Sequence, residues 1–289
     1  MGKIKDLEKE VKALKKTKKV IHINEISTMS RINQILRRAD KSIGYQKTVL
    51  STLKQLSNRI DTPMNMIDYS KPKLLIVITS NRGFCGSYNF SVIEKVNEVI
   101  CDNNDGYQLY VIGKQGYKQL KNNGYDIAWY SDKSLESITI EDTTELTSRM
   151  LQKVVGGEIS SVDIVYTNYD DALNSTVTNK CLFPLEMLDD EDEDEKILTG
   201  ILDFEEAEED IIFLLSQNYL CGMLYNLLLS SLASEYCARR MAMFLARKSI
   251  ENKLKTVTKV ERKERTQSST KELFGIISSA EVIGESENE

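Results

Sequence analysis

The sequence predicts an α/β protein in which both termini form one long antiparallel two-helix coiled coil around a globular α/β domain. Three observations carry this. Residues 1–62 contain no proline and only Gly2 and Gly44, and residues 223–274 contain neither proline nor glycine. The middle alternates short apolar runs with helical stretches. Neither long helix can bury its apolar stripe alone, so each is expected to cover the other.

The first sixty residues keep one heptad phase, with seam positions at 4, 7, 11, 14 and so on to 60. The seam is apolar at Ile4, Leu7, Val11, Leu14, Ile21, Ile32, Ile35, Ala39, Val49, Leu53, Leu56 and Ile60. It is polar at Lys18, Glu25, Thr28, Ser42 and Gln46. At about 1.5 Å per residue such a helix reaches roughly 90 Å. Asp61-Thr62-Pro63 is expected to break it.

Lys73–Thr79 (KLLIVIT) reads as a strand buried on both faces. A helix over about 90–100, a strand over 107–113, a helix to about 122, a helix over 142–155 and a strand over 162–166 follow. This alternation predicts a small, parallel-type, Rossmann-like domain of about 120 residues. Asp189–Glu195 (DDEDEDE) is expected to be a solvated loop that ends it. The second long helix begins near Glu205–Ile211 and carries Leu229, Tyr236, Met243, Ile250 and Val257 at heptad spacing. Its stripe fails over Glu261–Thr270 and returns at Leu273, Phe274, Ile276 and Ile277. The expected segments are 1–62, 72–200, 205–283 and an acidic tail at 284–289.

Composition narrows the function. Five scattered cysteines with no C-x-x-C pair argue against a disulfide framework or zinc site and for a reducing compartment. No basic segment followed by an apolar run opens the sequence, so no signal peptide is expected. Ile211–Ala233 has no charged residue over 23 positions, long enough to span a bilayer. Its Ser and Asn interruptions and its charged helical continuation favour a buried core helix. Charge is segregated: residues 1–60 hold 15 Lys/Arg against 5 Asp/Glu (net +10), and residues 235–274 hold 11 against 5 (net +6). Residues 61–234 hold 12 against 30 (net −18). Both helical ends are basic, as for solvated faces or for a rod within reach of an acidic partner. A basic coiled coil also raises nucleic-acid binding, but the aromatic interleaving that single strands require is absent and the middle is acidic.

No catalytic constellation is visible. Gly83-Phe84-Cys85-Gly86 follows the first strand yet lacks both G-x-x-x-x-G-K-[ST] and G-x-G-x-x-G. Its glycines allow a tight turn; nucleotide binding is the alternative. His22 is the only histidine, with Glu25 alone near it by helical spacing. No metal site and no cofactor are expected.

Four segments resemble the γ subunit of the F-type ATP synthases. Ile4–Lys19 (IKDLEKEVKALKKTKK) is similar to the family's opening at Leu14, Thr17 and Lys19, with Val20 just beyond. Ile78–Gly86 (ITSNRGFCG) resembles S-D-[RK]-G-L-C-G, with Ser80, Arg82, Gly83, Cys85 and Gly86 identical. Leu232–Met243 (LASEYCARRMAM) resembles L-A-S-E-x-x-A-R-M-x-A-M, a very specific string. Arg265–Glu272 (RTQSSTKE) sits where the family has R-Q-A-x-I-T-x-E.

The resemblance implies a non-catalytic rotary shaft inside a ring of three α and three β subunits. An ε-like subunit and a membrane c ring would meet its foot. It implies a cytoplasmic complex peripheral to the inner face of the cell membrane, with ATP made or hydrolysed on β. It places ring contacts at Arg265, Thr270, Lys19 and Glu25, and foot contacts at Glu205 and Arg82. Two segments depart from the family. Where it has A-M-x-M-V-A-A-x-K this chain reads Ile23–Arg31 (INEISTMSR), and where it has Y-x-x-E-P only Glu205 matches. These departures imply an alternative, the γ-like shaft of a specialised F1-like ATPase that drives motility or transport in place of an ion-translocating ring.

Overall fold

The computed structural model describes residues 2–57, 70–102, 106–185 and 208–286. The 61–63 break, the 189–195 acidic run and Glu205 lie outside them. Helix α1 runs over Gly2–Ser57 and helix α5 over Glu208–Ser286. Between them come β1 (Lys73–Ile78), α2 (Tyr88–Cys101), β2 (Tyr107–Ile112), α3 (Lys114–Asn122), β3 (Ile127–Ser131), α4 (Ile140–Val155), β4 (Val162–Tyr169) and β5 (Ser175–Phe183). The chain divides into two compact units, Met1–Ser27 with Ala242–Glu289, and Thr28–Met241.

The larger unit holds a five-stranded sheet of order β3-β2-β1-β4-β5. The first four strands are parallel, and β5 pairs antiparallel with β4. The expected parallel-type sheet is therefore mixed. β1 is apolar from Leu74 to Ile78 because helices cover both its faces. Leu74, Ile76 and Ile78 pack with α4, α5 and the Ile32 and Ile35 side chains of α1. Leu75 and Val77 point the other way, onto Val92, Ile93, Val96 and Val99 of α2 and Leu120 of α3. This period of two is the pleat expressed in side chains. A capping box of Thr139 and Asp142 starts α4, and Lys133 Nζ donates to the same Asp142 carboxylate at 2.5 Å.

The uncharged stretch of α5 is the core helix of this unit. Leu220, Leu224, Leu228 and Leu232 are all buried against the sheet side of the cluster. By length and composition α5 could also cross a membrane, but between Leu220 and Cys237 most of its apolar side chains are buried in the core shared with the sheet and α1. Where seam position Gln46 falls opposite α5, Asn226 Nδ2 donates to its Oε1 at 2.5 Å. The seam defect is thus a hydrogen-bonded pair. Nearer the ends of both helices, Leu53 meets Ile212 in a small apolar cluster of its own.

The smaller unit is a helix pair. Partner numbers on α5 fall from one end of the pair to the other as those on α1 rise: Lys3 and Glu8 meet Glu264 and Arg265, both at 2.6 Å, Lys18 meets Glu251 at 3.0 Å and Glu25 meets Arg247 at 2.9 Å. The helices are therefore antiparallel, as the heptads predict. Seam positions Lys18 and Glu25 are not gaps; each meets an opposite charge on α5.

Candidate partner-binding site

The crevice at the carboxyl end of a parallel sheet is where such folds bind nucleotides. Here the chain fills that crevice itself. The first N–H groups of α3 would cradle a phosphate if they were free. Instead Lys114 N donates to Asn81 Oδ1 at 2.8 Å, Gln115 N to Ser80 O at 3.0 Å and Gly116 N to Thr79 Oγ1 at 3.0 Å. The approach is so close that a Cβ on Gly116 would lie 2.4 Å from Thr79 Oγ1. One on Gly113 would lie 2.2 Å from Thr79 O. Glycine is needed at both places for contact, not for a ligand.

The other side of the crevice is crossed by α5. Thr167 N and Tyr169 N, at the end of β4, donate to Ser231 Oγ (3.2 Å) and Ser230 Oγ (2.8 Å). Ser234 Oγ donates back to Thr167 O at 3.4 Å. Tyr88 of α2 donates its hydroxyl proton to Ser231 O at 3.2 Å. Burial drives that phenol's pKa far above its usual range, so it stays a donor.

Two of the four segments that carry the resemblance meet at this point. In 78–86, Ser80, Cys85 and Asn89 form a buried hydrogen-bond cluster under the turn. In 232–243, Glu235 is buried and paired with Arg239 at 2.6 Å, and Arg239 Nη2 reaches Arg82 O at 3.5 Å. Burial raises the Glu235 carboxyl above the usual range, and the adjacent Arg239 opposes that rise. Above the cluster Phe84 stands 83% exposed with φ at 62°. A left-handed aromatic residue costs about 1–3 kcal/mol, which the bonded loop beneath it sustains.

The sequence-derived contact residues fall into different settings. Lys19 is exposed and lines a groove with Lys15, Lys18, His22 and Arg247. Arg265 pairs with Glu8 yet keeps 64% of its side chain in solvent. Thr270 is exposed and donates back to Thr266 O at 2.9 Å, as helical threonines do. Glu25 differs: its side chain is only 19% exposed and receives Arg247 Nε at 2.9 Å, with His22 Nδ1 at 3.5 Å. Its carboxylate is spent on the partner helix. Arg82 is exposed on the turn after β1, in the other unit.

The polar stretch 261–270 does face a partner helix, through Lys3–Glu264 and Glu8–Arg265. The failed stripe over Glu261–Thr270 is therefore bridged by charge. Beyond it, Leu273, Phe274, Ile276 and Ile277 are each more than half exposed. Among the described residues no group of three or more His, Cys, Asp or Glu side chains is placed to hold a metal ion. The sequence reading missed the Arg31, Glu136 and Tyr236 junction and the α5 serines, because their partners are distant in the chain. Only the heptad phase, with Tyr236 on the stripe, hinted at either.

Comparison with known proteins agrees with this architecture. Residues 3–283 match the sequence model of the family described as ATP synthase. The ATP synthase gamma chain of Lachnoclostridium phytofermentans is 25% identical over 292 residues, covering 98% of this chain and all of that one. The fold matches a chain in the OSCP, F1 and c-ring structure of the Euglena gracilis mitochondrial ATP synthase, with a TM-score of 0.65 and 16% identity. That match covers 98% of this chain and 95% of that one. A chain of the central stalk and c-ring of the Tetrahymena thermophila mitochondrial enzyme gives 0.60 at 21% identity, over 78% and 99%. With the family model spanning nearly all of it, the chain belongs to the ATP synthase family, as one of its γ subunits.

Proposed function

We propose that this chain is the central rotary shaft of an F1-type ATPase and couples its own rotation to ATP synthesis or hydrolysis on surrounding β subunits. The observation that carries the reading is the helix pair of the smaller unit. Val11 is the one buried side chain among its described residues, the rest of the apolar seam is half-buried, and the ion pairs beside it are each worth only about 0–1 kcal/mol at an exposed surface. Its outer surface presents cations together with Val20, Ile23, Leu245, Phe274 and Ile276, all more than half exposed. A helix pair so weakly closed and so apolar outside calls for a sleeve. A ring of α and β subunits with acidic loops supplies both the apolar cover and the opposite charge.

In this reading the chain itself is non-catalytic, which the self-filled crevice supports. Arg265, Thr270 and Lys19 face the ring. Glu25 contributes indirectly, by holding Arg247 in place beside Lys19. Arg82 takes the foot contact with an ε-like subunit and a membrane c ring, a role that the resemblance also assigns to Glu205, outside the described residues. The complex sits peripherally on the cytoplasmic face of the cell membrane, and no nucleic acid takes part. Replacing Arg265 with alanine should lower ATP hydrolysis by the assembled head severalfold while the chain's helical circular dichroism is unchanged. Unaltered turnover removes Arg265 from the ring contact.

A second reading is favoured by the segment Ile23–Arg31. There bulky Ile23, Ile26 and Met29 stand exposed where the family resemblance leads one to expect mostly alanines. The shaft would then belong to a specialised F1-like motor. Co-purification of a/c membrane subunits separates the two readings.

A further inference from the structure

In the larger unit one short segment of the α/β domain is hydrogen-bonded to both long helices. The 3-10 turn Leu135–Ser137 links β3 to α4. Its Glu136 carboxylate is held from two helices at once. Arg31 Nη1 of α1 donates to Oε2 at 2.6 Å, and the Tyr236 hydroxyl of α5 donates to Oε1. Arg31 Nη1 also reaches the Tyr236 oxygen at 2.9 Å, so the three groups close a triangle. Burial and the Glu136 bond push the Tyr236 phenol up to about 12, so it remains a donor at any cellular pH.

Seven residues on, a second junction repeats the plan. Arg38 Nη2 donates to Ile138 O at 3.2 Å and to the Tyr225 hydroxyl at 2.6 Å. Each guanidinium also lies over its tyrosine ring, at 6.0 and 5.7 Å. Two residues seven apart share a face of α1, and two residues eleven apart share a face of α5. The turn is therefore gripped from α1 by two arginines, each bonded to a tyrosine of α5, and from α5 directly by Tyr236.

Apolar contacts between the sheet and the helices resist separation, but they have no preferred direction and oppose sliding weakly. Charge-assisted hydrogen bonds have fixed lengths and angles and oppose twisting directly. We propose that Arg31, Glu136 and Tyr236, seconded by Arg38 and Tyr225, form a torque-transmitting latch between the α/β domain and the stretches of α1 and α5 that pack on it. They act as positioning residues for the rotary function. This rests on the shaft reading given above.

The test follows rotation of the assembled head with a bead fixed through biotin at Cys101, an exposed residue at the end of α2. Loss of one junction softens the coupling, so Glu136→Ala should raise the angular variance during ATP-waiting pauses by up to about twofold. Hydrolysis at saturating ATP should stay unchanged, since the head's chemistry is elsewhere. The exchange of Arg31→Glu with Glu136→Arg should restore the wild-type variance, which a merely unfolded turn would not allow. Unchanged variance in Glu136→Ala overturns the latch alone. A wild-type complex whose Cys101 bead does not turn with ATP overturns the shaft reading, and the latch with it.

Discussion

Replacing Gly116 with alanine places a methyl group 2.4 Å from Thr79 Oγ1 and 2.5 Å from its Cγ2. Thr79 cannot swing away cheaply. It is fully buried, β-branched, and its hydroxyl donates to Ile112 O at 3.0 Å while accepting from Gly116 N. Overpacking of this kind costs about 1–3 kcal/mol. Thr79→Ala alone leaves Gly116 N without its acceptor, about 1–2 kcal/mol. Ile112 O keeps its bond from Thr79 N at 2.8 Å and is not orphaned. In the double variant both short contacts vanish and only the 3.0 Å approach to Thr79 Cβ remains. The two costs should therefore fall short of additivity by about 1–2 kcal/mol. Trp129, the only tryptophan, lies in β3 and reports this domain, so urea unfolding followed by its fluorescence reads the cycle. Additivity within about 0.5 kcal/mol would refute the claim that the crevice is packed by Thr79.

Leu224 is wholly buried between α5 and the sheet, so Leu224→Ala should cost about 2–5 kcal/mol by the same fluorescence assay. Gln46 and Asn226 pair across the helices while Asn226 Oδ1 has no hydrogen-bond partner; changing both to leucine should leave the unfolding midpoint unchanged or raise it, and a fall would show that the polar pair is itself stabilising. Glu251 and Glu264 are held below the usual 4.5, chiefly by hydrogen bonds from Lys18 and Lys3. Their contribution is present above pH 4.5 and is lost as pH falls through their lowered values, so acid should loosen the smaller unit. Glu235 has the opposite sign: raised by burial, it favours the folded larger unit below its ordinary value and loses that contribution as pH rises. Below pH 4.5, helical circular dichroism should begin to melt before Trp129 fluorescence does; coincident transitions at every pH would contradict this assignment.

Much of the fold was legible because burial leaves a periodic trace. The heptads foretold the antiparallel pairing, and KLLIVI foretold a strand covered on both faces. The strands β3 and β5 were missed for a physical reason. Both are edge strands of the sheet, and Ser175–Phe183 is largely polar because its outer face meets water. Only its Thr-Val-Thr run and the turn built on Asp171, whose Oδ1 accepts from Leu173 N and Asn174 N, signalled a hairpin. The polar seam residues Lys18, Glu25 and Gln46 looked like defects because their partners lie more than 170 residues away in the chain. Similarly, the strings at 78–86 and 232–243 were recognisable as strings, but only the fold reveals that Arg239 joins them. Contact surfaces with other chains leave no internal trace, so Arg265, Thr270 and Lys19 rest on resemblance and exposure.

The central claim is that this chain turns inside a ring of catalytic subunits. The most direct measurement is purification through a tag on this chain from its native membranes, followed by observation of a bead on the α/β domain with the catalytic ring immobilised. The account predicts recovery of α and β subunits with ATPase activity, and stepwise, ATP-dependent rotation of the bead. Recovery of the chain without α and β subunits, or ATP hydrolysis by the complex with a stationary bead, would contradict it.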